Sequence, residues 1–380
     1  MKKITNFQEL LDIKQEYIDK QSKYEFNVLV CGGGGCVSSN CHEVSLALKT
    51  QIILKGLEEK INVIQTGCMG ICAVGPVILI LPQRIFYTEL NPEKAIDIVD
   101  RHLIKNEICT EYTFFDNAFQ KRVPCIDDIE FFKAQTKLVL DNCGEIEYDN
   151  VDSYISRDGY QAAFNAIKGN NPETVIKEVE ESGIRGRGGA GFLTGVKLRS
   201  GFMQESKEKY MVCNADEGDP GAFMDRSIIE GDPHSVIEGM LLSAFAIGAQ
   251  KGYVYIRAEY PIAIERLERA IAQAREYGFL GENIFGSDFS FELDYRIGAG
   301  AFVCGEETAL LASIEGKRGE PKQNLHSLSR KAYLIALQLL IMLKRSQIFL
   351  RLLEKEVSGI LAMDCLMLLV LRFSLLQEML

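Results

Sequence analysis

Short apolar runs alternate with stretches of helical periodicity in the first part of the chain. The pattern predicts strands at Phe26 to Val30, Ile61 to Gln65 and Val77 to Leu81, and helices at about His42 to Lys55 and Pro92 to His102. Apolar runs bounded by glycine-containing turns are typical of buried strands, and a 3.6-residue apolar period is typical of amphipathic helices. The alternation therefore predicts a small α/β domain with its cysteines on loops that follow strands.

A second set of elements begins near Tyr160, after a charged stretch over about 105–160 that lacks strong periodicity. Further strand and helix patterns follow at Tyr210 to Cys213, Val236 to Ala249 and Tyr253 to Arg257, with glycine-rich loops before and after them. We therefore predict a connector over 105–160 and a second α/β domain from residue 161.

Composition narrows the class of protein. The 380 residues are 47% apolar, which is sufficient for two or three folded domains. With 42 basic and 53 acidic residues the net charge is −11, which disfavours binding to a nucleic-acid backbone. The charged N-terminus, Met1 to Tyr24, lacks the apolar core of a signal peptide and predicts a cytoplasmic protein. Eleven cysteines in that compartment favour metal or redox chemistry over disulfides.

Two cysteine pairs follow predicted strands of the first domain. Cys31 and Cys36 are separated by four glycines, and Cys68 and Cys72 stand in Cys-x3-Cys. Thiolates on tight, glycine-rich loops are typical of iron–sulfur ligands, because backbone amides can then approach the sulfur atoms. A zinc site with four thiolates and a set of buried structural cysteines are the alternatives. Cys41 lies outside both pairs and is not counted among the ligands.

Three loops of the second domain carry candidate chemistry. Residues 182–191 contain five glycines and two arginines, a composition that suits phosphate, although a flexible loop is the alternative. Cys213 to Asp219 is an acidic loop after an apolar strand, where a ring edge or ribose could be hydrogen-bonded; a solvated turn is the alternative. Gly298 to Thr308 carries two adjacent carboxylates, Glu306 and Glu307, after a glycine-rich strand exit; the N-terminus of a helix is the alternative.

These motifs together resemble a known family. VCGGGGC and TGCMGICAVGP resemble the thioredoxin-like 2Fe-2S ferredoxin domain of NADH-linked dehydrogenases and hydrogenases. GIRGRGGAGFLTGVK, CNADEGDPGAFMDR, EGDPHS, YIRAEYP and GAGAFVCGEETALL resemble, in order, the FMN- and NADH-binding flavoprotein subunit of complex I and of NAD(P)-linked hydrogenases. The resemblance covers about residues 24–322. It implies an α/β chain with a ferredoxin domain over 1–104 and a Rossmann-like FMN/NADH-binding domain over 161–322.

The resemblance also implies a function and its residues. The family passes electrons between NAD(P)H, FMN and iron–sulfur clusters as the electron-entry subunit of a multisubunit complex, and its flavin converts a two-electron hydride donor into single electrons. The fused ferredoxin domain favours a hydrogenase or related assembly over complex I. A ferredoxin-like carrier or scaffold remnant without flavin catalysis is the alternative. The implied 2Fe-2S ligands are Cys31, Cys36, Cys68 and Cys72; the implied FMN residues are Gly186, Arg187, Gly188, Lys197, Asn214 and Asp216; and the implied NADH residues are Gly189, Phe192, Asp219, Glu306 and Glu307.

Three positions depart from the family pattern. Leu193 stands where proline is usual, and Leu198 stands where an aromatic residue usually follows the lysine, with Phe202 as a candidate substitute. Phe302 stands where tyrosine is common. These departures affect the nicotinamide and adenine side more than the FMN side.

The composition changes after Pro321. Leucine and methionine become frequent, and the family's continuation is absent. The longest uncharged run there, Ala332 to Leu343, is shorter than the roughly 20 residues that span a bilayer. If one nucleotide was lost near Lys322, shifted codons compatible with Leu334 to Leu350 read DCPTTINNVETFANIP, which resembles the family's flavin-contacting segment with its paired asparagines.

We therefore predict that residues 323–380 are an out-of-frame tail, helical or disordered, with a genuine partner-binding helix as the alternative. The chain then lacks the paired asparagines and the later cysteines for a 4Fe-4S cluster that the resemblance leads one to expect, so that its electron-transfer activity is impaired.

Overall fold

The computed structural model describes residues 3–186, 191–206, 208–219 and 221–321, and the backbone of 332–336. Two four-stranded sheets, each with helices packed against it, organise these residues. The α/β class predicted from the sequence is confirmed. Within the described residues, no helix is both long enough and apolar enough to cross a bilayer.

The N-terminal helix α1 (Phe7–Ser22) packs on a different domain from the one to which the prediction assigned it. Asn6 and Glu9 form a capping box that begins it. Ile4 and Leu10 are buried in the core of the second domain, and the Ile4 amide donates to the Tyr277 carbonyl at 3.0 Å. The prediction placed residues 1–104 together because sequence proximity was the only guide. The apolar face of α1 packs instead on the second domain.

The first sheet is mixed. The elements of its domain are β1 (Phe26–Cys31), α2 (Gly34–Ser38), α3 (Cys41–Leu54), β2 (Ile61–Thr66), β3 (Ile78–Leu81), β4 (Ile85–Tyr87) and α4 (Pro92–Ile98), which continues as a π-helical turn over Val99–Leu103. The strand order is β2-β1-β3-β4. Strand β1 pairs parallel with β2 and antiparallel with β3, and β3 pairs antiparallel with β4. Because β1 and β2 are parallel neighbours, the loops at their carboxyl ends lie at one edge of the sheet.

The predicted connector is ordered in the structure. Its elements are β5 (Phe114–Asp116), β6 (Lys121–Val123), α5 (Glu130–Lys133) and α6 (Val151–Ser156). It adds to the first sheet through bridges from Ile85 to Cys125 and from Tyr87 to Thr113. Val123, Ile126 and Ile129 are buried in the core around the cysteines. The connector therefore encloses the first domain on one side.

The second sheet is parallel throughout. The elements of its domain are α7 (Gln161–Gly169), α8 (Pro172–Ser182), α9 (Thr194–Phe202), β7 (Tyr210–Ala215), α10 (Met224–Gly231), α11 (Pro233–Ile247), β8 (Lys251–Arg257), α12 (Pro261–Tyr277), β9 (Glu292–Gly298), α13 (Glu307–Ile314) and β10 (Ala332–Ala336). The strand order is β10-β7-β8-β9. Helix α11 is buried along its whole length on one face of this sheet, and α13 packs on the other face against Val212 and Tyr255. The carboxyl ends of β7, β8 and β9 meet at one edge, which is where ligands bind in open parallel sheets.

Strand β10 lies inside the predicted tail. Its backbone pairs parallel with β7, with Ala332 opposite Tyr210. The sequence predicted a helical or disordered tail, and these five residues form a strand, because the open edge of β7 offers unpaired backbone groups to any extended segment. The remainder of the predicted tail lies outside the described residues.

Candidate functional site

The four predicted cluster ligands lie at one edge of the first sheet. Cys31 is the last residue of β1, Cys36 lies in α2, Cys68 follows β2, and Cys72 begins a 3-10 turn. All ten cysteines among the described residues are free. The loops after two neighbouring parallel strands thus bring the two sequence pairs together.

The four thiols are close neighbours. The sulfur atoms of Cys68 and Cys72 are 3.6 Å apart. The neighbouring Cys36 thiol raises the pKa of Cys31 to about 12; the Cys68 thiol acts in the opposite direction, and burial acts in the same direction as Cys36. Thiols held this close become thiolates only when a bound cation compensates their mutual repulsion, and iron supplies that charge in a cluster.

The glycines between the cysteines leave room for nothing larger than hydrogen. A Cβ on Gly33 would lie 2.6 Å from the Cβ of Cys68, and one on Gly35 would lie 2.9 Å from that of Cys72. The two cysteine loops are therefore closely packed. Four thiols on two closely packed loops are a ligand set that suits a 2Fe-2S cluster.

Asn214 joins two loops at the edge of the second sheet. Its Nδ2 donates to the Gly305 carbonyl at 2.9 Å, and its Oδ1 accepts from the Asp216 amide at 3.1 Å. A Cβ on Gly305 would lie 3.5 Å from an Asp216 carboxylate oxygen. The acidic loop after β7 and the turn before α13 are therefore in contact, whereas the sequence predicted only that both follow strands.

Asp216 is a buried carboxylate that needs a partner. Neither of its oxygens has a hydrogen-bond donor among the described residues, and its ion-pair partner, Nε of Arg257, is 3.9 Å away. Burial raises the pKa of Asp216, although Arg257 acts in the opposite direction. A buried acceptor without a donor is costly unless a ligand satisfies it. Hydroxyl or N–H groups of a bound flavin are suitable donors.

Glu306 and Glu307 have different environments. The Glu306 carboxylate accepts from the amides of Thr308 and Ala309 at 3.0 Å each, so that it caps α13. Burial raises the pKa of Glu306, but hydrogen bonds from the Thr308 hydroxyl and from these amides outweigh burial, and the pKa is lowered overall. Glu307 forms an ion pair with Lys197 at 3.4 Å. The helix N-terminus that the sequence offered as an alternative is therefore observed for Glu306. Its carboxylate lies at the edge of the candidate site.

The phosphate-type loop is described only at its ends. Arg187, Gly188 and Gly189 lie outside the described residues. The Gly186 amide donates to the Phe192 carbonyl at 2.8 Å, which closes the base of the loop. The Phe192 side chain is 57% exposed and thus available as a stacking face. Asp219 is exposed at the end of the acidic loop.

The family departures have distinct structural settings. Leu198 is buried in the core of the second domain, and Phe202 packs against that core. Phe202 therefore does not present an exposed aromatic face in place of the residue that usually follows the lysine. Phe302 is 69% exposed, and a carbon of its ring lies 2.7 Å from the position that a Cβ on Gly218 would take. Phe302 therefore covers the acidic loop from the outside.

Glu217 and Arg257 were not identified from the sequence. The Glu217 carboxylate accepts from the amides of Met224, Asp225 and Arg226, the first residues of α10. Arg257 donates to the carbonyls of Glu217 and Gly300. The sequence indicated an acidic loop, but it could not indicate which of its carboxylates faces a ligand and which caps the next helix.

Comparisons with known proteins identify two regions of the chain. Residues 15–102 match the family described as thioredoxin-like [2Fe-2S] ferredoxin, and residues 179–336 match the family described as Nuo51 FMN-binding domain. The resemblance predicted from the sequence is confirmed for both regions. The first match begins within α1, and the second extends into β10.

Some relatives of this chain are named as hydrogenase subunits, and others are named as NADH-quinone oxidoreductase subunits. NADP-reducing hydrogenase subunit HndC of Solidesulfovibrio fructosivorans is 57% identical over 189 residues, which are 50% of this chain and 38% of that protein. One NADH-quinone oxidoreductase subunit of Escherichia coli is 48% identical over 45% of this chain and 39% of that protein. NAD-reducing hydrogenase HoxS subunit alpha of Cupriavidus necator is 36% identical over 68% of this chain. The chain spans 40% of the length of that last relative.

Proposed function

We propose that this chain, which joins a thioredoxin-like [2Fe-2S] ferredoxin domain to a Nuo51 FMN-binding domain, is the electron-entry subunit of a multisubunit oxidoreductase. It passes electrons between NAD(P)H, FMN and iron–sulfur clusters. The observation that carries the proposal is the pairing of four crowded thiols in one domain with the buried, unsatisfied Asp216 carboxylate in the other. The first suits a cluster and the second suits a flavin.

The residues of the second domain divide between binding and orientation. Lys197, with Gly186, Arg187 and Gly188, holds the FMN phosphate, and Asn214 and Asp216 hold the flavin ring and ribityl chain. Gly189, Phe192, Asp219, Glu306 and Glu307 form the NADH side. FMN held by these residues would supply the conversion between a two-electron hydride and single electrons. Lys197 is part-buried and paired with Glu307, so a phosphate has to share its charge with that carboxylate.

Binding of FMN tests the flavin half of the proposal. Titration of the purified chain with FMN, followed by quenching of flavin fluorescence, is expected to saturate, and Asp216→Ala is expected to weaken the binding. Asp294→Ala, which removes an exposed carboxylate on β9, is the matched control. Absence of binding to the unaltered chain at high micromolar flavin would eliminate the flavoprotein function of this polypeptide.

Anaerobic reconstitution with iron and sulfide tests the cluster half. The chain is expected to take up two irons and two sulfides and to give a one-electron EPR signal on reduction with dithionite. Replacement of Cys31, Cys36, Cys68 or Cys72 by serine should weaken or abolish that signal. Replacement of Cys41, which is buried beside them at the start of α3, should leave it in place. Stoichiometric zinc in place of iron and sulfide would contradict the assignment.

A ferredoxin-like carrier is the second candidate function, because all four thiols lie in the first domain, upstream of the predicted tail. It predicts a cluster signal without flavin binding, so the two experiments together separate the functions.

We also propose a cytoplasmic location, to which the ten free cysteines add support. The proposed partners are the other subunits of an NADH dehydrogenase or NAD(P)-linked hydrogenase, the two assemblies named among the relatives.

A further inference from the structure

Two arginines of the second domain contact the loop between Cys31 and Cys36. Arg266 of α12 donates from Nη2 to the Gly32 carbonyl at 2.7 Å, and from Nη1 to the Glu230 carbonyl. Its guanidinium lies 3.5 Å from the ring centroid of Tyr148, and the residue is only 6% exposed. A buried cation is therefore fixed at the residue that follows a predicted cluster ligand.

Arg226 of α10 approaches the same loop from its other end. Its Nε donates to the buried Glu230 carboxylate at 2.9 Å, which fixes the guanidinium in place. A Cβ on Gly34 would collide with Nη2 of Arg226, so only glycine leaves room for the guanidinium. The guanidinium of Arg226 therefore lies against the glycine loop that joins two predicted ligands.

The four consecutive glycines alternate between two neighbours. Gly33 and Gly35 face the second cysteine loop, Gly34 faces Arg226, and Gly32 faces both the Thr66 carbonyl and Arg266. Next to them, a Cβ on Gly67 would collide with the backbone of Gly231 at the end of α10. The loop is therefore held between its partner cysteines and the second domain, and a side chain at any of the four positions would disturb one of these contacts.

We propose that Arg266 and Arg226 are positioning residues that hold the cluster loop against the flavin domain and raise the reduction potential of the 2Fe-2S cluster. The inference rests on the cluster half of the proposed function. Reduction adds one negative charge to a cluster already surrounded by four thiolates. A guanidinium in a poorly solvated contact stabilises the reduced form more than the oxidised form. Arg266 is expected to have the larger effect, because it bonds to carbonyls, whereas Arg226 shares its charge with Glu230.

The test is an EPR-monitored redox titration of the full-length chain, reconstituted with iron and sulfide and without added FMN. Arg266→Gln and Arg226→Gln remove one charge each, Arg266→Lys retains it, and Arg318→Gln removes an 88% exposed charge as the matched control. At the midpoint potential of the unaltered protein, the reduced-to-oxidised ratio should fall about tenfold in Arg266→Gln, or about 59 mV for one electron. It should fall less in Arg226→Gln, and stay near the unaltered value in Arg266→Lys and Arg318→Gln.

Unchanged midpoints in both glutamine variants would overturn the inference. If Arg266→Gln fails to fold because its side chain is buried, the comparison of Arg226→Gln with Arg318→Gln decides, since the Arg226 side chain is 25% exposed. Failure of the unaltered chain to assemble a cluster would overturn the proposed function itself, which is a different result from a cluster whose potential ignores the arginines.

Discussion

At the residue scale, the proposed role of Asp216 in flavin binding is accompanied by a cost to stability. Its carboxylate is buried, lacks hydrogen-bond donors among the described residues and has a raised pKa. We expect Asp216→Asn to increase the free energy of unfolding of the flavin-free protein by about 1 kcal/mol at pH 7, because the charge no longer has to be desolvated. The same substitution should weaken FMN binding.

The pH dependence of that difference follows from the direction of the pKa shift. The native state binds a proton at Asp216 more tightly than the unfolded state, so stability falls as the pH rises from the ordinary value of 3.8 through the raised native pKa. The advantage of Asp216→Asn should therefore be complete at neutral pH and shrink as the pH approaches 3.8. Urea unfolding over this range measures it, with Asp294→Asn as control. A variant less stable than the unaltered protein at pH 7 would contradict the argument.

Leu193, which departs from the family's proline, already has a backbone suited to proline. Its φ is −65°. Leu193 lies opposite Arg185 in an antiparallel β-bridge, whose hydrogen bonds run from the Gly186 amide to the Phe192 carbonyl and from the Thr194 amide to the Ile184 carbonyl. The Leu193 amide takes no part in them, so proline would remove no hydrogen bond of the bridge. We expect Leu193→Pro to stabilise the protein by about 0.4–1 kcal/mol through the entropy of the unfolded chain. Thermal unfolding measures this. Ser200→Pro, inside α9, should destabilise by about 3 kcal/mol, and a comparable loss in Leu193→Pro would refute the prediction.

Single residues also mark how far the sequence could predict the site. The cysteine pairs were predictable because their spacing and glycines have one main use, and the structure brings their thiols together. Glu217, Arg226 and Arg266 were not predictable, because their roles depend on which elements pack together over long sequence separations. Spacing along the chain carries no information about such contacts.

At the element scale, α10 depends on a carboxylate from outside the helix. Glu217 accepts from three amides of its first turn at 2.6–3.2 Å. We expect Glu217→Ala to cost about 1 kcal/mol, typical of a lost cap, and to speed hydrogen exchange of the amides of Met224, Asp225 and Arg226. Glu259→Ala, which removes a half-exposed carboxylate at the end of β8, is the control. Equal exchange in both variants would show that the cap does not hold the helix.

Elements that bury a face in their own domain were predicted within a few residues. The strands that begin at Phe26, Ile61 and Tyr210 are observed where the apolar runs placed them. The sequence did not indicate where helix α1 and the connector pack, because their apolar residues contact partners that are distant along the chain. Leu10 lies in the core of the second domain, and Ile126 lies in that of the first. Periodicity indicates that a face is buried, but it does not indicate against what.

At the scale of the whole molecule, the change of composition after Pro321 leads to a prediction about the gene. We expect resequencing across codon 322 to reveal one missing nucleotide, whose restoration gives DCPTTINNVETFANIP in place of Leu334 to Leu350. The restored chain should bind FMN more tightly than the present one, because it regains the paired asparagines that the family resemblance implies. Isothermal titration of both chains measures the difference. An uninterrupted frame with codons incompatible with the shifted sequence would exclude this explanation and favour a genuine partner-binding tail.

The position of Glu217 has a thermodynamic consequence that links the two proposed cofactor sites. Its carboxylate belongs to the acidic loop, yet it holds the helix whose Arg226 touches the cluster loop. If nucleotide binding draws Glu217 away from α10, the affinity of the cluster for an electron changes. Linkage then requires the electron to change nucleotide affinity by the same factor. A single carboxylate would thus couple the proposed nucleotide site to the proposed cluster site.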